Sequence, residues 1–92
     1  MIRIEFGPRF LRSLRKIKPD LHAAAEKRLA QVSKEFGNPH IHGGLGLRKI
    51  GEQAYEARLD LHYRIVLIHR EGRLEAFDIM THEEVRQWLR SK

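Results

Sequence analysis

Two arginines interrupt a strand-like run in this chain. In YEARLDLHYRIVLIH, residues 55–69, Arg58 and Arg64 stand among β-branched, leucine and tyrosine residues. A guanidinium stays charged at any physiological pH, and its planar fork meets two phosphate oxygens at once. Positioned charge of this kind stabilises a phosphoryl centre as negative charge builds on it. Burying such a group unpaired is costly. On adjacent strands the two arginines can face the same side of a sheet, whose concave face then holds phosphate instead of core. The alternative for Arg58 is a cross-strand pair with Glu56, Asp60 or Glu75. His82 is the candidate to give or take a proton, since imidazole is the side chain suited to either role near neutral pH; its alternative is a solvated residue in the first turn of a helix. Arg48 and Lys49 can hold a nucleic-acid backbone, and Lys49 becomes a base only if a basic surround lowers its pKa. Arg86 can contact phosphate. Trp88 can stack on a base, or it is core, sharing a helix face with Val85 and Leu89.

The totals support an anionic partner. Eighteen Lys and Arg against twelve Asp and Glu give a net charge of +6 and a pI near 10.2. A basic domain attracts polyanions, so nucleic acid or an acidic protein is expected. The 92 residues predict one domain, 1–92, with one modest core. The absence of cysteine excludes disulfide, iron–sulfur and thiol chemistry. His40-x-His42, with His62, His69 and His82 elsewhere, has no acidic or thiol ligand at a useful spacing, so neither metal nor other cofactor is expected. Gly43-Gly44-Leu45-Gly46 lacks the Lys-Ser/Thr of a phosphate loop and reads as a flexible connection. The longest strongly apolar run, Ile65–Ile68, is far short of a membrane span. MIRIEFGPRF has no signal-peptide pattern. A cytoplasmic protein without membrane attachment is expected.

The elements that must position these groups follow from periodicity. Ile2, Ile4 and Phe6 alternate with charges, as in a strand. Gly7-Pro8 breaks it, and Pro8 suits a helix's first turn. Phe10, Leu11, Leu14 and Ile17 recur at helical spacing, with Arg9, Arg12, Arg15 and Lys16 on the other face. Lys18-Pro19-Asp20 is a break in which Asp20 is expected to cap the next helix. Leu21, Ala25, Leu29, Val32 and Phe36 continue that helix to Gly37, so residues 8–36 predict a helical hairpin. Residues 38–46 read as a glycine-rich loop, and Leu47–Ile50 as a short strand or the lead-in to one. Tyr55–Asp60 alternates as a strand. Tyr63–Arg70, apolar on both faces, reads as central. Glu71-Gly72 is a two-residue turn into a partner strand, Arg73–Met80. Thr81 and Glu84 have capping-box spacing before a last short helix. The predicted class is α+β, with helices covering one face of a small sheet.

This order of elements in a basic chain resembles the RelE/ParE superfamily, the toxins of type II toxin–antitoxin systems. The resemblance is carried by Leu47-Arg48-Lys49 followed by Tyr55-Glu56-Ala57-Arg58, by Tyr63-Arg64-Ile65-Val66, and by Thr81-His82 after the last strand. It implies an N-terminal strand, an antiparallel helical hairpin, a three-stranded antiparallel meander and a C-terminal helix. It also implies a functional division. RelE-type members enter the ribosomal A site and cut mRNA; ParE-type members inhibit DNA gyrase. Both are neutralised by a cognate antitoxin, through which the pair binds operator DNA.

On this resemblance the expected activity is ribosome-dependent mRNA cleavage without a metal. Arg58, Arg64 and His82 are the catalytic candidates; Arg48, Lys49 and Arg86 are the RNA-binding ones. Expected partners are an antitoxin, the ribosome and mRNA. A gyrase inhibitor and a non-catalytic basic binding module of the same fold are the alternatives. Two departures stand out: some members have lysines near Arg58, and many have a tyrosine in the C-terminal segment.

Overall fold

The alternation at the N-terminus forms β1, Arg3–Phe6, in a computed structural model that describes all residues, 1–92. Pro8 then opens α1, Pro8–Lys16, at the position where its missing N–H is harmless. The second helix, α2, is Pro19–Glu35. Pro19 takes its first position and Lys18 its N-cap, with no side-chain cap bond. Asp20 is therefore not the predicted cap. It sits one residue inside the first turn, where a negative charge still complements the helix dipole. Gly37, with φ of +92°, follows the end of α2, as the left-handed conformation at a helix end favours.

The predicted loop is partly helical. Pro39–His42 forms one turn, α3, and Gly43–Leu45 a 3-10 turn closed by Gly46 at φ +64°. Leu47–Lys49 is a true strand, β2, paired antiparallel with β3, Ala54–Arg58. The rest follows the expected order: β4 is Tyr63–Arg70, β5 Arg73–Thr81 and α4 His82–Arg90. Glu71 and Gly72, both at positive φ, make the β4–β5 hairpin turn. No helix is long and apolar enough to cross a membrane.

One five-stranded sheet runs β1-β5-β4-β3-β2, parallel only between β1 and β5. Its two faces carry separate apolar clusters. Phe10 of α1 and Ala25, Leu29 and Val32 of α2 pack with Ala57, Ile65, Leu67, Leu74 and Ala76 on one face. Val85 of α4 packs with Ala54, Val66, Ile68 and Met80 on the other, with Phe77 and Trp88 against them. Trp88 is thus packing for the sheet. Helices on both faces explain why β4 is apolar on both, with Ile65–Ile68 buried. They also extend the expectation of helices on one face alone.

Asp78 fastens the two layers. The β4–β5 register slips at Val66/Leu67, so that Phe77 is an extra residue between Ala76 and Asp78. The Asp78 carboxylate accepts from Arg9 Nε at 3.2 Å and Nη2 at 3.0 Å, from the Ser13 hydroxyl at 2.5 Å and from Ile79 N–H at 2.8 Å. Arg9 in turn lies over the Phe77 ring, 4.6 Å from its centroid. At the sheet's far end, hydrogen bonds to Glu71 and then Glu5 raise the Arg73 pKa.

Candidate functional site

Register decides which charged side chains meet. Arg48 lies opposite Glu56, and Glu56 opposite Val66; in the next row Arg58 lies opposite Arg64. Alternation puts Arg48, Glu56, Arg58 and Arg64 on the face that bears α4. Thr81 caps α4 through both bonds of the predicted capping box: Glu84 N–H donates to Thr81 Oγ1 at 3.2 Å, and Thr81 N–H donates to Glu84 Oε1 at 2.8 Å. That cap fixes His82 as the first residue of the helix. Its N–H donates to His62 O at 3.2 Å, tying α4 to the β3–β4 turn. The turn is itself closed by the Asp60 carboxylate, which accepts from His62 and Tyr63 N–H.

The result is a cleft of about 380 Å³ lined by Gly43, Gly46, Leu47, Arg48, Glu56, Arg58, Arg64 and His82. Four of the six residues predicted for a site, Arg48, Arg58, Arg64 and His82, therefore share one cavity. Lys49 and Arg86 do not line it. Lys49 alternates onto the sheet face of its partner Tyr55, and Arg86 is exposed on α4.

The electrostatics are unusual for a sheet face. Arg58 and Arg64 are directly opposite, an arrangement of like charges that destabilises a strand pair. Cross-strand pairing does not relieve Arg58: Glu56 pairs elsewhere, the Asp60 carboxylate closes its turn, and Glu75 lies 3.7 Å from Arg70. Arg58 is exposed and makes no ion pair. Arg64, with only 13% of its side chain exposed, donates through Nη1 to Asp60 O at 3.1 Å and approaches Tyr63 O at 3.4 Å. Glu56, 4% exposed, accepts from Arg48 Nε at 2.8 Å and lies 3.7 Å from Arg64 Nε. Three arginines against one glutamate leave two positive charges in excess, which matches an anion of phosphate type. Gly46 makes the close approach possible, because a Cβ there would lie 2.6 Å from Arg58 Cβ.

No protein-family model matches the sequence, and no curated protein matches it. Solved structures do. The archaeal RelE–RelB complex from Pyrococcus horikoshii OT3 contains a chain that superposes with a TM-score of 0.71 at 12% identity, over 87% of this chain and 93% of that one. The RelB–RelE antitoxin–toxin complex from Methanococcus jannaschii gives 0.62 at 16% identity, over 91% and 96%. The YoeB–YefM complex from Staphylococcus aureus gives 0.58 at 15%, over 89% and 98%. The chain has a RelE-like fold. In this RelE-like fold the cleft lies on the sheet face opposite the α1–α2 pair, at the ends of β3 and β4 next to the α4 N-terminus.

Glu56 is the cleft residue that sequence reasoning treated only as a partner for Arg58. The signal was present: Glu56 and Arg58 are two apart on one strand and so share a face. Nothing in the sequence showed that Arg48 and Arg64 would close over it.

Proposed function

We propose that this protein is the toxin of a type II toxin–antitoxin pair and that it cuts ribosome-bound mRNA without a metal. The observation that carries this reading is the convergence of Arg48, Arg58, Arg64 and His82 on one cleft of a RelE-like fold. In metal-free RNA cleavage the 2′-oxygen attacks phosphorus and the P–O5′ bond breaks. The 2′-hydroxyl gives up a proton, the 5′-oxygen gains one, and a 2′,3′-cyclic phosphate remains. Arg58 and Arg64 stabilise the extra negative charge on the pentavalent phosphorus. Arg48 holds the adjoining backbone, with Lys49 and Arg86 contributing outside the cleft. His82 exchanges a proton, help worth roughly 10²–10⁴-fold in rate.

An antitoxin is the proposed protein partner, and operator DNA is reached through it. The solved RelE–RelB and YoeB–YefM complexes support that assignment. So does an apolar groove of about 390 Å³ between β1, α1 and α2, where Phe6 and Leu11 stay exposed.

The test is expression in growing bacteria with and without a co-expressed acidic partner from the neighbouring gene. Growth arrest with fragmented mRNA and intact DNA, relieved by the partner, supports the reading. Broken DNA with whole mRNA would replace it with gyrase inhibition. Normal growth would leave a binding module.

A further inference from the structure

Glu56 is the one carboxylate in an arginine cleft, and it is nearly the most buried residue there. A carboxylate in a phosphate site opposes anion binding, so its presence there requires a physical reason. The geometry supplies one. Glu56 Oε2 faces the Nε of two different arginines, Arg48 at 2.8 Å and Arg64 at 3.7 Å. The Nη1 of Arg64 is turned to the backbone carbonyls of Asp60 and Tyr63. The Arg64 guanidinium is thus hydrogen-bonded to protein through Nη1 and faces the Glu56 charge through Nε, while Nη2 makes no hydrogen bond to protein. Arg48 likewise donates Nε to Glu56, while its side chain is otherwise 67% exposed. Both arginines therefore approach an anion with terminal nitrogens of fixed direction. A flexible arginine would first have to lose its freedom.

We propose that Glu56 is a positioning residue that orients Arg48 and Arg64 for the phosphate and holds the cleft at two excess positive charges. The inference rests on the nuclease reading above for its catalytic consequence, though not for its structural one. The charge matters as well as the geometry. A phosphodiester carries one negative charge and its pentavalent state two, so a cleft with an excess of two matches the latter. Removing Glu56 leaves three excess charges on mobile arginines. That change favours tight, unproductive binding of RNA over turnover.

Glu56→Gln and Glu56→Asp test this together with wild type, each checked for folding by circular dichroism. For Glu56→Gln, kcat for cleavage of ribosome-bound mRNA is expected to fall about 10–100-fold. Its binding to a single-stranded RNA oligomer is expected to tighten, with a salt slope steeper by about 0.7 for the added charge. Glu56→Asp keeps the charge and shortens the reach, so its kcat falls with no change in salt slope. In the free proteins, the Nε–H resonance of Arg48, which donates to Glu56 at 2.8 Å, is expected to be protected from exchange in wild type and not in Glu56→Gln.

An unprotected Arg48 Nε–H in wild type overturns the positioning role. So does a Glu56→Gln protein that cuts like wild type. Loss of the acidic limb of the pH–rate profile in Glu56→Gln also overturns it, by making Glu56 the proton acceptor. A protected Arg48 Nε–H in a wild-type protein that leaves mRNA whole would instead sink the nuclease reading and keep the positioning.

Discussion

Gly46→Ala is the sharpest probe of how the backbone builds the cleft. Gly46 ends the 3-10 turn at φ +64°, a conformation that costs any other L-residue about 1 kcal/mol. Its Cβ would also lie 2.6 Å from Arg58 Cβ and 3.3 Å from Arg58 N, where ordinary contact begins at 3.4 Å. Neither atom is the free end of a flexible side chain, so β2 and β3 must part. Arg58 N–H donates to Gly46 O at 3.1 Å, and that bond is strained by the same movement. Overpacking of this kind costs about 1–3 kcal/mol, giving about 2–4 kcal/mol with the backbone term. For a chain of this size the melting temperature should drop about 10–25 °C. The assay is thermal unfolding followed by circular dichroism, with Gly44→Ala as reference because a Cβ at 44 meets nothing within 4 Å. Equal melting temperatures for the two variants would refute the claim that Gly46 is held against Arg58.

Asp78→Ala removes the acceptor of Arg9, Ser13 and Ile79 at the β5 bulge; a loss of about 2–3 kcal/mol is expected in urea unfolding, moderated because Arg9 is half exposed. Thr81→Ala breaks the capping box and should cost about 1 kcal/mol by the same measurement. Slower RNA cleavage should accompany it, since the cap fixes the start of α4 at His82. Arg58→Ala should leave stability within about 0.5 kcal/mol of wild type, because Arg58 is exposed and unpaired. The same variant should weaken binding to single-stranded RNA, read by titration at fixed salt.

Periodicity made most of the architecture legible. Alternation at Ile2, Ile4 and Phe6 and helical spacing from Phe10 to Phe36 mark β1, α1 and α2. The two-sided apolar run of β4 marked a central strand, although helices were expected on one face alone and α4 covers the other. The helical turn at Pro39–His42 and the 3-10 turn after it escaped, because four and three residues are too few to repeat a helical pattern. Asp20 was misplaced because Pro19 claims the first helical position and pushes the cap back to Lys18. Residue type together with the family resemblance singled out Arg48, Arg58, Arg64 and His82, which line one cleft. Register, which no local pattern specifies, set Lys49 on the other face and buried Glu56 between arginines. An alternating Glu reads as solvent-facing until its cross-strand neighbours are known.

The central claim is that the arginine cleft cuts RNA. It is tested most directly by mapping mRNA ends in a translating extract, with wild type beside a folded Arg64→Ala variant. Cuts within ribosome-bound codons are expected for wild type, and their loss in the variant. Intact mRNA with folded wild type, or equal cutting by both proteins, would contradict it.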